Sequence, residues 1–390
     1  MSESDASAPP RRSRLITVPF AMVTASTFAY FMAMGALLPV LPRYVEDGLG
    51  GGSVAVGVTV GVFSLAAAAL RPFAGRLGDL RGRRLLVVGG SALFGLSVLS
   101  YSFVDSLALL IVVRLLTGIG EAAMWVGAAT AVQDMAPDDR RGEAASYFSV
   151  ALYAGLAFGP ALGEWVLDRS GFDAVWYSAG GLALVAAVLG LATPKVIAHE
   201  QQPFRLLHPT AIAPGFVLLL GLLPFVGFTA FLPLYGPDVG IDDVAPLFVL
   251  YGGLVLVIRV VGARLPDRLG WRRASTAALT VLGGAGIMLG LWAATAGVWL
   301  ATVGLAMGMS LLFPALFSSM VSKVPEAERG QAVGTFSVFF DLASGIGPPV
   351  LGVIVALGSY RAGFAAAGLA ALGGLALLPR LSARTADPAT

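Results

Sequence analysis

The stretch Arg71-Pro-Phe-Ala-Gly75-Arg-Leu-Gly-Asp79-Leu-Arg-Gly82-Arg83-Arg84 decides the fold, because its charged and glycine frame returns 188 residues later as Arg259-Val-Val-Gly-Ala263-Arg-Leu-Pro-Asp267-Arg-Leu-Gly270-Trp271-Arg272. Arg71, Arg76, Leu77, Asp79, Gly82 and Arg84 all recur in that register. The same offset relates Pro137, Arg141 and Gly142 to Pro325, Arg329 and Gly330, and relates Phe148, Gly159 and Pro160 to Phe336, Gly347 and Pro348. Three separate regions in one register mark an internal duplication. Upstream the offset becomes 194, with Leu38-Pro39 set against Leu232-Pro233, so the first half carries six extra residues. They fall most simply in the Gly-rich stretch Gly48 to Ser53, since loops absorb length changes.

Working outward, the chain has 390 residues, 57% hydrophobic and only 12% charged, too apolar for a soluble fold to cover its surface. Disorder is excluded by the apolar content, and the absence of cysteine removes disulfides, zinc-thiolate sites, iron–sulfur clusters and thiol nucleophiles. A bilayer span needs about 20 apolar residues. Cutting at polar and Gly/Pro-rich breaks gives twelve such segments: 17–41, 54–75, 85–104, 107–133, 145–167, 174–193, 212–235, 244–264, 274–294, 298–320, 331–356 and 361–379. The first is too long, and lacks the small-residue cleavage site, to be a secretory signal. Of the 25 Lys and Arg residues, 19 fall on the side of the N-terminus and three (Arg43, Arg169 and Arg361) on the other, which by the positive-inside rule places both termini in the cytoplasm. The expected architecture is all-α: twelve transmembrane helices in two parallel six-helix repeats. A tail (1–16) precedes the first half (17–193), a linker (194–211) holds both histidines, and the second half (212–379) precedes a tail (380–390). Parallel repeats of this kind place a substrate site near the midplane between the halves.

With the repeat, the span count and these motifs in hand, nearly the whole chain resembles the major facilitator superfamily. Gly75, Leu77, Asp79, Gly82, Arg83 and Arg84 are similar to that family's motif between its second and third helices, and Asp267 and Arg272 are their repeat partners. Arg114, Gly118 and Gly120 look like its fourth-helix arginine motif. Gly155-Leu-Ala-Phe-Gly159-Pro160-Ala-Leu-Gly163 resembles the fifth-helix motif of the exporter and antiporter branches, with Glu164 where the family often has a second glycine. The resemblance implies that the first motif gates the inner side and that Gly155, Gly159, Pro160 and Gly163 seal the cavity from leak. By itself, the Gly155–Gly159 spacing allows another helix close approach, and Pro160 removes a backbone donor and is expected to bend its helix.

Charges within the predicted helices carry the functional reading. Arg114, Glu121 and Asp341 have no like-charged counterpart in the other half, which offers Thr302, Met309 and Tyr153. A charge at midplane costs about 2.5–3.5 kcal/mol on insertion scales, so these three should face a bundle interior or watery cavity. Glu121 is the first choice for a proton carrier and Asp341 the second; Arg114, seven residues from Glu121, should share its cavity, and the resemblance to the fourth-helix motif implies that it tunes Glu121 or binds an anionic group. Glu164 reads as a solvated rim charge, and Asp134 as a partner for the Arg71 and Arg76 region. Tyr30, Phe31, Met34, Trp125, Tyr153, Phe228, Met309 and Phe340 are candidate cavity walls suited to a broad apolar substrate.

The expected activity is proton-coupled efflux of small amphipathic organic compounds across the cytoplasmic membrane, driven by the proton gradient without a cofactor. Uptake or export of a sugar, amino acid or other metabolite is the nearest alternative, and a non-transporting membrane receptor the next. No P-loop occurs and no nucleophile–base pair stands out, so an enzyme is not expected. Partners should be the organic substrate, protons and lipid, with no nucleic acid, and the protein is expected to be a monomer. Replacing Asp79 with Asn should abolish transport while leaving the protein inserted; transport at the wild-type rate would refute the gating role.

Overall fold

The computed structural model describes residues 15–137, 140–195, 207–261, 269–324 and 329–379. Within them the chain is helical and contains no strand. The helices are α1 (Val18–Arg43), α2 (Ser53–Arg81), α3 (Arg83–Leu99), α4 (Leu107–Asp134), α5 (Arg141–Gly190), α6 (Pro209–Tyr235), α7 (Ala245–Val261), α8 (Trp271–Leu291), α9 (Thr295–Val321), α10 (Arg329–Leu357) and α11 (Tyr360–Gly373). Ten helices among the described residues are long and apolar enough to cross a membrane, and Ala245–Arg259 is a shorter apolar one.

Two details sharpen the sequence expectation. The fifth and sixth predicted spans are the two limbs of α5, which part at Gly171, whose φ of 77° is open to glycine and strained for other residues. Pro160 lies within the first limb without taking it out of helical φ/ψ, and the break at Gly171 falls in the link between the two predicted spans. The motif around Asp79 is also not a loop: α2 continues to Arg81, and Gly82 alone makes the turn at φ 90°. Gly270, its partner in the repeat, also has positive φ, 75°, immediately before α8. The repeated glycine is therefore required by backbone conformation, since a Cβ at positive φ meets the carbonyl oxygen.

The turns gather at two ends. Arg43, the stretch after Tyr235, and the starts of α2, α9 and α11 share the end away from Leu15, here called distal. There the Tyr44 hydroxyl donates to the Val104 carbonyl at 2.7 Å, and Thr295 donates to the Val239 carbonyl at 2.7 Å. Tyr44, Tyr101, Phe172 and Trp176 form a ring cluster beneath them. At the proximal end Arg84 donates to the Thr193 carbonyl at 2.6 Å, tying α3 to the end of α5. Residues 1–14, 196–206 and 380–390, which include most of both expected tails and most of the linker, lie outside the described residues.

The first half packs α1 on α5, and α4 on α2 and α3; the second packs α8 on α9 and α11, and α6 on α10. The halves meet where α2 packs on α10 and α5 on α7. Small residues make both contacts. A Cβ added to Gly57 or Gly61 would strike the backbone of Pro348 or Gly345, and one on Gly252 would come within 2.7 Å of the Ala157 Cα. Ser53 adds a hydrogen bond to the Gly352 carbonyl at 3.1 Å. Lipid supplies no hydrophobic drive for helix association, so such close approaches set the geometry. Gly75, in contrast, has no heavy atom within 4 Å of its would-be Cβ. Gly61→Leu should lower the thermal unfolding midpoint in detergent or prevent folding, whereas Gly75→Ala should leave the midpoint unchanged or slightly raised; equal effects would show that the α2–α10 contact is not close in the protein.

Candidate functional site

Glu121 lies 14 residues into α4 and 13 from its end, about 20 Å from either terminus by helix rise. Asp341 lies 12 residues into α10. Neither helix offers an internal partner, and both side chains are almost fully buried, 4% and 3% exposed. The partner comes from α2. Arg71 donates through Nη2 to both Glu121 oxygens, at 3.0 and 3.3 Å, and its Nη1 lies 3.0 Å from Asp341 Oδ2. One guanidinium thus joins a carboxylate of the first half to a carboxylate of the second.

The two contacts are unequal. Glu121 receives hydrogen bonds, whereas Asp341 Oδ2 is at ion-pair distance without hydrogen-bond alignment. Arg71 Nε and the Tyr30 hydroxyl are also buried without a partner among the described residues. The Trp125 ring lies 5.4 Å from the guanidinium carbon, with Phe31 and Phe148 packed edge-on against that indole. Buried charges of this kind are costly unless paired, and removing the single cation would leave two carboxylates uncompensated.

Sequence reasoning placed Glu121 and Asp341 at mid-depth but passed over the residue that unites them. Arg71 recurs as Arg259, so a search for charges that break the repeat symmetry set it aside; its position inside an apolar span was the available signal. Arg259 is used differently, lying 4.4 Å from the centroid of the Tyr153 ring and linking α7 to α5 across the halves.

Arg114 is not paired with Glu121. Its Nε donates to the Thr59 carbonyl at 3.0 Å, Nη2 reaches the Val60 carbonyl at 3.5 Å, and its guanidinium stacks 4.5 Å over the Phe63 ring. Seven residues on one helix share a face but stand two turns apart, and Arg114 is claimed by α2 on the distal side of the cluster. Gly118 and Gly120, in the same motif, let α4 approach α2 and α3: a Cβ on either would meet the Phe63 or Gly90 carbonyl.

The candidate cavity walls separate. Tyr30, Phe31 and Trp125 surround Arg71, and Tyr153 faces Arg259. Phe228 is fully buried against Phe248 and Tyr251, inside the second half rather than on a cavity wall. Met309 is also buried, and Met34 and Phe340 are half-buried. Cavities of about 450 and 610 Å³ open at the distal end, the first against Tyr235, Asp238, Tyr360 and Arg361, the second against Val58, Leu107 and Ile111. Neither reaches Arg71, Glu121 or Asp341.

At the proximal end Arg83 joins Asp79, at 2.6 Å, to Asp134, at 3.2 Å. Asp134 therefore pairs with Arg83 and not with the Arg71 and Arg76 region. Both acids are partly exposed and all three residues belong to the first half, so this group ties α2, α3 and α4 together. Arg272 is exposed at the start of α8, and Asp267 lies outside the described residues. The fifth-helix motif packs on α1: a Cβ on Gly155 would come within 2.7 Å of Met32 N, one on Gly159 within 2.6 Å of Met32 O, and one on Gly163 onto the Ala36 carbonyl. Glu164 is not a rim charge but a buried one, 3% exposed, bonded to Arg43 Nη1 at 2.8 Å.

The sequence profile of the Major Facilitator Superfamily matches residues 23–348. An MFS-type transporter of Pseudomonas aeruginosa (strain LESB58) is 33% identical over 393 aligned residues, covering 96% of this chain and 95% of that protein. In three dimensions the chain is similar to the human organic anion transporter MFSD10 (TETRAN), with a TM-score of 0.72 at 19% identity over 95% of this chain and all of that one. It is also similar to the nucleoside transporter NupG, with a TM-score of 0.73 at 14% identity over 94% of this chain and 99% of that one. The repeat, the apolar helices and these likenesses agree: the chain is a multi-pass membrane transporter of the Major Facilitator Superfamily, and not an enzyme.

Proposed function

We propose that the protein is a proton-coupled exporter of small amphipathic organic compounds, working by alternating access in the cytoplasmic membrane with both termini inside. Twelve crossings fit the chain if the two limbs of α5, Arg141 to Ser170 and Phe172 to Gly190, each cross once and turn at Gly171. On this reading residues 17–193 and 212–379 are the moving halves, 194–211 their cytoplasmic linker, and 1–16 and 380–390 cytoplasmic tails. The distal end then faces outward.

The observation that carries the proposal is the Arg71 cluster. One cation and two carboxylates leave it one negative charge in excess, and a single proton makes it neutral. A buried site that is stable only when balanced must gain a proton or a compensating group before it can be rearranged. The ion pair to Asp341 is the one that spans the halves, so a proton there releases α10 from α2 while Glu121 keeps Arg71 in place. Export rather than uptake is supported by the fifth-helix motif. The energy comes from the proton gradient and no cofactor is needed; a monomer contains every group the cycle uses.

Asp341→Asn should abolish pH-driven transport in vesicles while preserving substrate binding or exchange, and Glu121→Gln, which frees Arg71 from its anchor in the first half, should impair transport as well; an unchanged pH dependence in Asp341→Asn would overturn the assignment. Arg71→Leu should destabilise the protein by about 3–5 kcal/mol, because two carboxylates stay buried without their cation. Adding Asp341→Asn to Arg71→Leu should recover part of that loss in detergent unfolding, and no recovery would show that the charges are not coupled. Counterflow in right-side-out against inverted vesicles distinguishes export from uptake of a sugar, amino acid or other metabolite.

A further inference from the structure

Glu164 follows the fifth-helix glycines directly and sits at the distal end of the first limb of α5. It is held by one contact, from Arg43 at the end of α1, and its second oxygen, Oε1, is buried with no hydrogen-bond partner. Arg43 has a second contact. Its Nη2 donates to the backbone carbonyl of Asp242 at 3.2 Å, in the link between α6 and α7, which belongs to the other half. A buried carboxylate in the first half thus aims an arginine whose other arm holds the second half. The Arg43 side chain is 17% exposed, so it has water within reach if the carboxylate lets go.

We propose that Glu164 is a second proton-binding site, distinct from the Arg71 cluster, and that its proton unlatches the outer side. The proton goes onto Oε1, where no hydrogen bond is lost. Neutral Glu164 no longer balances Arg43, whose charge then turns to solvent and gives up the Asp242 carbonyl. The other charges facing Glu164 are Asp168, on its own helix, and Asp243, on the same link as Asp242; both are exposed acids, which disfavour charge on Glu164, and Arg43 is the one base facing it among the described residues. Beside this latch, Ser53 on the Gly352 carbonyl and the close approach of Gly57 and Gly61 to α10 hold the same end together through groups that do not titrate. Protonation of Glu164 is therefore the step at this end that an acidic exterior can drive. This inference rests on the alternating-access reading and its orientation, and it assigns the entry of the driving proton to a residue that also controls access.

The chain has no cysteine, so paired labels are introduced without background. Asp105→Cys and Ala293→Cys lie at exposed distal positions of the first and second halves and carry spin labels without disturbing either core. In lipid nanodiscs the label separation should lengthen when the buffer passes from neutral to mildly acidic. Glu164→Gln should give the long separation already at neutral pH, raising the ratio of open to closed populations about tenfold or more, as loss of a buried charge contact implies. Arg43→Gln, which removes the contact from the other side, should do the same, so the outcome does not depend on one variant folding. The latch is overturned if both variants keep the wild-type distribution, or if Glu164→Gln responds to acid as the wild type does. Neither result depends on transport: loss of pH-driven export with a working latch would fault the coupling proposal alone, and normal export with unresponsive labels would fault the latch alone.

Discussion

Arg71 is the charge on which the two halves agree. In the interior of a membrane protein a lone carboxylate is expensive, and this chain buries two at mid-depth on helices from opposite halves. A single guanidinium suffices for both because its fork presents separate donors to separate acids. That economy makes the arrangement sensitive: the cation has no surplus, and its grip on Asp341 lacks the hydrogen bonds it makes with Glu121. On the proposed reading, a proton or a substrate group arriving at this point would alter the balance between the halves.

Small residues make such a contact reachable. Gly57 and Gly61 bring α2 onto α10 at backbone distance, close enough for Arg71, further along the same helix, to span the remaining gap. Gly155, Gly159 and Gly163 do the same for α5 on α1, the two helices that carry Glu164 and Arg43. Close backbone approach and buried ion pairing are parts of one design, since a charged side chain can be satisfied across an interface only where the helices leave no room for lipid or bulk water.

Much of the architecture was legible because it follows from one-dimensional rules. Span lengths answer to bilayer thickness, and the repeated Gly82 and Gly270 to a backbone angle that only glycine adopts freely. Even the mid-depth burial of Glu121 and Asp341 could be read from position within a span. The reading failed where a residue's role depends on what faces it. Arg114 shares a helix face with Glu121, yet α2 supplies carbonyls that claim it first. Glu164 stands at the end of a predicted helix and looked solvated, yet Arg43, 121 residues earlier, covers it. Phe228 looked like a cavity wall and is buried inside its own half.

The sequence alone determined that this chain is a duplicated, helical membrane protein and that Glu121 and Asp341 lie midway along its spans, because hydropathy, charge and periodicity act locally along the chain. Tertiary structure decided the partners: that Arg71 rather than Arg114 joins Glu121 to Asp341, and that Arg43 joins Glu164 to the second half. Pairing is a property of distances between helices, set by how closely their glycine faces approach, and a span read in isolation carries no information about the helix that will lie against it.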